Sequence, residues 1–135
     1  QALGCHEIDV ADTIGTGTPL RVQTVMAAVT RHVDPACVAA HFHDTYGQAL
    51  ANIFAALQCG IRIVHSSVAG LGGCPYARGA TGNVATEDVL YMLRGLDIDT
   101  GIDFDAVIDT GLWMADILAK SPSRVGRAVA ANRSH

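Results

Sequence analysis

Three short apolar runs, separated by two stretches of helical periodicity, constrain the fold of this chain more than any other feature. The runs cover residues 3–11, 37–43 and 61–68. Helices are predicted between them, from Pro19 to about Arg31 and over 46–59, because apolar side chains recur at i, i+3, i+4 and i+7. The connections are short, which requires parallel strands with right-handed crossovers. The sequence therefore predicts an α/β fold whose strands end at one common edge of a sheet.

Cap and stop residues define the predicted helices, including those after the third strand. A further helix is expected from residue 86, another over 104–119, and helical structure to about residue 131. The arginines of the tail are interpreted as a solvated helix face. The residues predicted to cap or end helices are Thr18, Gly60, Thr86, Gly95 and Asp103.

Composition narrows the class of protein. Half of the 135 residues are hydrophobic but only 5% are aromatic, which suits buried parallel strands packed by helices. The net charge of -4 and the scattered basic residues argue against a nucleic-acid partner. No apolar run approaches the roughly 18 residues of a membrane span, and no secretion signal is visible. We therefore expect a soluble intracellular protein whose four cysteines are thiols.

Two histidines one residue apart end the second apolar run. In a strand, side chains alternate between faces, so His41 and His43 point the same way with Phe42 behind them. Two converging imidazoles suit a divalent cation, and Asp44 follows where the strand would break into a loop. By itself the H-x-H spacing fits a cation site and a pair of hydrogen-bonded strand-end histidines about equally well.

A glycine-rich loop follows the third apolar run, with Cys74 between Gly73 and Pro75. Such a loop allows close backbone approach to a ligand, and a cysteine there is poorly placed for core packing, so we favour a catalytic thiol over a buried one. Asp12, at the end of the first run, is either a functional carboxylate or a turn residue. Asn83 alone would be interpreted as a turn residue.

Together the segments HFHDTYGQALAN and SSVAGLGGCPYARGATGN, with DTIG and TED around them, resemble hydroxymethylglutaryl-CoA lyases of the DRE-TIM metallolyase superfamily. The resemblance implies a partial TIM (β/α)8 barrel. Residues 1–135 would be the C-terminal portion of a lyase domain, with strands corresponding to the last three of the barrel and C-terminal helices over 86–131. The strand with the Asp-Arg-Glu motif would lie outside this sequence.

The resemblance also implies a reaction and its residues. The reaction is metal-dependent retro-Claisen cleavage of 3-hydroxy-3-methylglutaryl-CoA to acetyl-CoA and acetoacetate, a step of leucine degradation and ketone-body formation, in a bacterial cytoplasm or the mitochondrial matrix. Mg²⁺ or Mn²⁺ would be held by His41, His43 and Asn83, and Asp12 with His41 would handle the hydroxyl proton. Cys74 would protonate the enolate from a substrate loop containing Gly72 and Gly73.

One residue departs from the family pattern, since His65 stands where the family usually has an aspartate. This change places the substrate pocket or the polarity near the metal in doubt. Two alternatives therefore stay open: a lyase acting on another 3-hydroxyacyl-CoA, and a catalytically incomplete fragment acting only in association. Three strands leave two open edges, so we expect a homo-oligomer that is inactive by itself.

Overall fold

The computed structural model describes residues 4–73 and 82–133, and the chain divides into two compact units. One comprises residues 1–65 and 73–83 and is called here the sheet unit. The other comprises residues 66–72 and 84–135 and is called the helical unit.

The sheet unit is built on three parallel strands in the order β1-β2-β3: β1 (Ile8–Asp12), β2 (Val38–Phe42) and β3 (Ile63–His65). The prediction of parallel strands is confirmed, although each strand is shorter than its apolar run. Ala11 pairs with His41, and His41 pairs with His65. Since paired residues in parallel strands share a face, this register aligns side chains from all three strands.

Two helices pack together against one face of this sheet: α1 (Pro19–Val29) and α2 (Ala49–Gln58). Val22, Met26 and Ile53 are buried as their spacing predicts. Two other apolar residues of these helices are not buried, since Val25 is 45% exposed and Phe54 41%. The buried residues of α2 are Ala49, Asn52, Ile53, Ala55 and Ala56.

The helical unit contains α3 (Thr86–Gly95), α4 (Phe104–Ile117) and α5 (Arg124–Arg133). Glu87 is 1% exposed, and both of its carboxylate oxygens accept from the backbone N–H of Ala69, at 3.0 and 2.9 Å. Arg133 forms hydrogen bonds with Asp109 and Asp105, which raise the pKa of its guanidinium. This arginine therefore links α5 to α4 on an exposed face of the helical unit, in agreement with the predicted solvated face.

The helix ends confirm some predicted caps and correct others. The Asp103 side chain accepts from the N–H of Ala106, and Gly60 follows α2 with φ +86°. Thr18 is the N-cap residue of α1 and Pro19 its first residue, as predicted, but the Thr18 hydroxyl makes no capping hydrogen bond. Thr86 is the first residue of its helix rather than the cap, and its hydroxyl hydrogen-bonds Ser66 Oγ at 2.9 Å.

Candidate metal centre and active site

The two histidines of the H-x-H motif lie together where β2 ends. Their ring centroids are 5.4 Å apart. His41 is the penultimate residue of the strand, and His43 follows the strand with 8% of its surface exposed. Strand alternation thus brings two imidazoles to one place, as the sequence predicted.

A backbone pairing places Asn83 next to the histidine pair. It forms an antiparallel β-bridge with His43, and the adjacent Asp44 N–H donates to the carbonyl of Gly82 at 3.0 Å. The structure therefore brings together all three residues assigned as metal ligands, although they come from segments far apart in the sequence.

An unpartnered atom indicates that these residues fit a cation. Among the described residues, the buried His43 Nδ1 has no hydrogen-bond partner. Leaving such an atom unsatisfied costs about 1–3 kcal/mol, and coordination of a divalent ion would remove that cost. Imidazole nitrogen and amide oxygen both ligate divalent metals in proteins.

The loop after β2 lies close to the loop after β1. The Asp44 side chain accepts from the N–H of Ala49 at 3.0 Å and so fixes the start of α2. Gly15 has φ +71°, and a Cβ at this position would collide with Thr45. The DTIG segment therefore needs glycine here for two reasons: its left-handed backbone and its close approach to the neighbouring loop.

The Asp12 carboxylate accepts hydrogen bonds from the backbone of its own loop. Its Oδ1 accepts from the N–H groups of Gly15 and Thr16 at 3.1 and 3.2 Å, and Oδ2 from that of Gly17 at 2.7 Å. Asp12 pairs in register with Phe42, so its side chain lies on the helix-covered face of the sheet, opposite His41. The structure does not bring Asp12 to the histidine pair, and its catalytic role stays a prediction.

The glycine-rich loop is described only in part. Cys74 lies outside the described residues, so its catalytic assignment stays a prediction. Gly72 has φ +103°, a backbone conformation that other residues rarely adopt. Among the described residues, no atom lies within 4 Å of the position that a Cβ on Gly73 would take.

Two acidic residues that the sequence reasoning missed surround His65. Its Nε2 lies 3.2 Å from Glu7 Oε1, and its Nδ1 lies 3.5 Å from Asp9 Oδ2. The same Asp9 oxygen is 3.8 Å from His41 Nδ1. The imidazole that departs from the family pattern is thus matched by carboxylates on β1 and just before it. Only the strand register, which the sequence does not state, could have identified them.

Comparisons with known proteins agree on one family. The family model described as HMGL-like matches residues 1–112. The curated 3-hydroxy-3-isohexenylglutaryl-CoA/hydroxy-methylglutaryl-CoA lyase of Pseudomonas aeruginosa is 54% identical over 132 residues, which cover 97% of this chain and 44% of that protein. The chain therefore spans less than half the length of this relative.

Solved structures give the same result. The crystal structure of hydroxymethylglutaryl-CoA lyase from P. aeruginosa superposes with a TM-score of 0.94 at 54% identity, over 98% of this chain and 44% of that one. An HMG-CoA lyase of A. baumannii in complex with coenzyme A and 3-methylmalate gives a TM-score of 0.88 at 38% identity, over 94% and 42%. Three parallel strands with helices here are thus part of the fold of these lyases.

Within the described part of the chain, no helix is long and apolar enough to cross a membrane. The cellular compartment of this protein stays a prediction.

Proposed function

Since the chain belongs to the HMGL-like family, we propose that it is part of a carbon–carbon lyase that cleaves 3-hydroxy-3-methylglutaryl-CoA to acetyl-CoA and acetoacetate. The observation that carries the proposal is the convergence of His41, His43 and Asn83 at the end of β2, with His43 Nδ1 buried and unpartnered. The 54% identity to a lyase of this class supports it. The assignment of β1–β3 to the last three strands of a barrel stays a prediction.

His41, His43 and Asn83 are the proposed ligands of the catalytic cation, Mg²⁺ or Mn²⁺. Such a cation, when bound, polarises the tertiary hydroxyl of the substrate and favours its ionisation. A fourth ligand, a carboxylate, is expected from the strand that carries the Asp-Arg-Glu motif. We therefore expect weak Mg²⁺ binding by this chain alone.

The reaction moves one proton from oxygen to carbon. The hydroxyl loses its proton, the bond between C2 and C3 breaks, and its electron pair passes to the thioester as an enolate. C3 becomes the ketone of acetoacetate, and Cys74 is the proposed donor of the proton that converts the enolate to acetyl-CoA. Gly72 and Gly73 would let the loop backbone approach the thioester.

The acceptor of the hydroxyl proton is the least supported role. Asp12 is a candidate through the family resemblance, with His41 beside it. Turning the Asp12 carboxylate towards the histidine face would break its three backbone hydrogen bonds. His41 lies on the appropriate face already, but an imidazole that holds the cation has no free lone pair, so accepting this proton would require His41 to leave the cation.

A second candidate substrate follows from the relative in P. aeruginosa, whose name includes 3-hydroxy-3-isohexenylglutaryl-CoA. The retro-Claisen chemistry is identical for both thioesters, because they differ only in the group attached to C3. Any discrimination between them must come from the size and polarity of the pocket around that group.

The test is a chimera in which this chain replaces the matching 132-residue segment of the P. aeruginosa lyase. Acetyl-CoA release is followed with each of the two thioesters and with unbranched 3-hydroxyacyl-CoA as a control. Release from 3-hydroxy-3-methylglutaryl-CoA supports the first function, and release from the isohexenyl substrate alone supports the second. A folded chimera that cleaves neither contradicts both.

The chain alone is proposed to be inactive and to associate with itself. β1 and β3 each have a partner on one side only among the described strands, and an unpaired strand edge favours pairing with another copy. Light scattering of the purified chain should therefore give a mass above that of a monomer. A monomer at micromolar concentration would contradict the self-association.

A further inference from the structure

A second group of ligating side chains lies on the face of the sheet opposite α1 and α2, with one residue on each strand: Asp9, His41 and His65. Their ligand atoms all lie within 4.8 Å of one another. The register explains this proximity, because His41 pairs with His65, and Asp9 lies two residues before the partner of His41. All three belong to the sheet unit.

The spacing of the atoms is too long for direct hydrogen bonds but close to that of ligands around one ion. Asp9 Oδ2 is 3.5 Å from His65 Nδ1 and 3.8 Å from His41 Nδ1. A charge-assisted hydrogen bond would be about 2.7–2.9 Å long. Two ligands bound tetrahedrally at about 2.0–2.1 Å from zinc are about 3.3 Å apart. Shortening these two separations by a few tenths of an ångström would match the spacing of ligands around zinc, and all three ligand atoms lie within 4.8 Å of one another.

Glu7 supplies a second and independent indication. Its Oε1 is 3.2 Å from His65 Nε2, so this nitrogen is placed to donate its N–H to a carboxylate. Metal-ligating histidines commonly make this contact with their other nitrogen, which fixes the tautomer. With Nε2 turned to Glu7, Nδ1 is the nitrogen of His65 that faces the Asp9 oxygen, on the side where the ion would lie.

We propose that Asp9, His41 and His65 form a binding site for a transition-metal ion of the Zn²⁺ class, distinct from the site formed by His41, His43 and Asn83. Two imidazoles and one carboxylate are the ligand set of Zn²⁺, Co²⁺ and Ni²⁺ rather than of Mg²⁺. The side chains are 31–40% exposed, so water can supply the fourth ligand. The proposal goes beyond the proposed lyase function and does not depend on it.

The test is titration of the purified chain with Co²⁺, read from its visible absorption bands, and with Zn²⁺ by calorimetry. One ion per chain is expected, and loss of a ligand in Asp9→Asn or His65→Gln should weaken binding at least about tenfold, as even second-shell changes do. Glu7→Gln should weaken it less. His43→Gln, which removes a ligand of the other site only, should leave it unchanged.

Binding that survives both Asp9→Asn and His65→Gln, or that is lost in His43→Gln, would overturn the proposal, as would no binding at millimolar Co²⁺. X-ray absorption of the unsubstituted chain with Zn²⁺ provides a check that needs no variant. It should count two imidazole ligands with nitrogen about 2.0–2.1 Å from the metal. A first shell without imidazole would overturn the assignment, whatever the outcome of the chimeric lyase assay.

Discussion

His43 and Asn83 face each other across an antiparallel β-bridge, and no residue in the described part of the chain hydrogen-bonds the buried Nδ1 of that histidine. The backbone bridge fixes the relative position of two candidate ligands before any ion binds. Such a site lowers the stability of the metal-free protein, because burial removes the hydrogen bonds of this nitrogen to water and no described protein group replaces them.

The first prediction follows from that cost. In the chimera, His43→Leu should reduce Mn²⁺ affinity about tenfold or more, the range seen when metal sites lose supporting contacts. The free energy of unfolding of the metal-free protein should not fall, because an apolar side chain of similar size replaces a buried unsatisfied group. Calorimetry and urea denaturation measure the two quantities. His32→Leu, at an exposed position, is the control for the loss of any imidazole. Unchanged Mn²⁺ affinity in His43→Leu would remove this residue from the metal site.

The second prediction concerns the loop after β1. Asp12→Ala should lower the stability of the chain by about 1–3 kcal/mol, because the partly buried N–H of Gly17 loses its acceptor and that of Gly15 keeps only the backbone carbonyl of residue 12, at 3.2 Å. Asp12→Asn, which keeps one acceptor oxygen, should cost less. Asp34→Ala is the matched control, since that aspartate accepts one exposed N–H, from Ala36. Equal urea midpoints for Asp12→Ala and Asp34→Ala would mean that the three hydrogen bonds contribute little.

The third prediction compares two helical glycines in the helical unit. A Cβ on Gly111 would collide with the carboxylate of Glu87, which is buried and hydrogen-bonded and so cannot move freely. Gly111→Ala should therefore destabilise the chain by about 1–3 kcal/mol. Gly95, at the end of α3, has open space around a Cβ, and Gly95→Ala should be neutral or stabilising by up to about 1 kcal/mol. The reverse order of the two melting temperatures would contradict the packing of α3 on α4.

Competition between two cations at His41 gives the fourth prediction. A neutral imidazole offers one lone pair, so coordination through Nδ1 puts the proton on Nε2 and prevents that nitrogen from ligating. Zn²⁺ should therefore weaken Mn²⁺ binding in the chimera, and His65→Gln should abolish this effect. Mn²⁺ paramagnetic resonance at increasing Zn²⁺ measures it. Zn²⁺ that displaces Mn²⁺ equally well from His65→Gln would show that the two ions simply share the first site.

The sequence predicted most of what depends on local pattern. Strand alternation alone put His41 and His43 on one side, and Asp103 was identified as a cap because its side chain can reach an N–H at the helix start. The sequence did not predict the features that depend on tertiary packing. Phe54 is 41% exposed although it is large and apolar, and Thr18 adopts an extended backbone without using its hydroxyl.

The partners of His65 could not be identified from the sequence for a different reason. Asp9 reaches His41 and His65 only through the register of two strand pairings, and a shift of one residue in either would turn a side chain to the other face. Sequence spacing carries no information on that register. The position of Glu7, which lies just before β1, depends on the same register.

The central claim, that this chain carries lyase chemistry, is tested most directly by the rate of acetoacetate formation from 3-hydroxy-3-methylglutaryl-CoA by the chimera and by its Cys74→Ser variant. The account predicts metal-dependent acetoacetate from the first, and loss of most turnover in the second with Mn²⁺ affinity unchanged, because the thiol acts on the carbon acid and not on the cation. A folded, Mn²⁺-binding chimera that forms no acetoacetate, or a Cys74→Ser variant as fast as its parent, would contradict it.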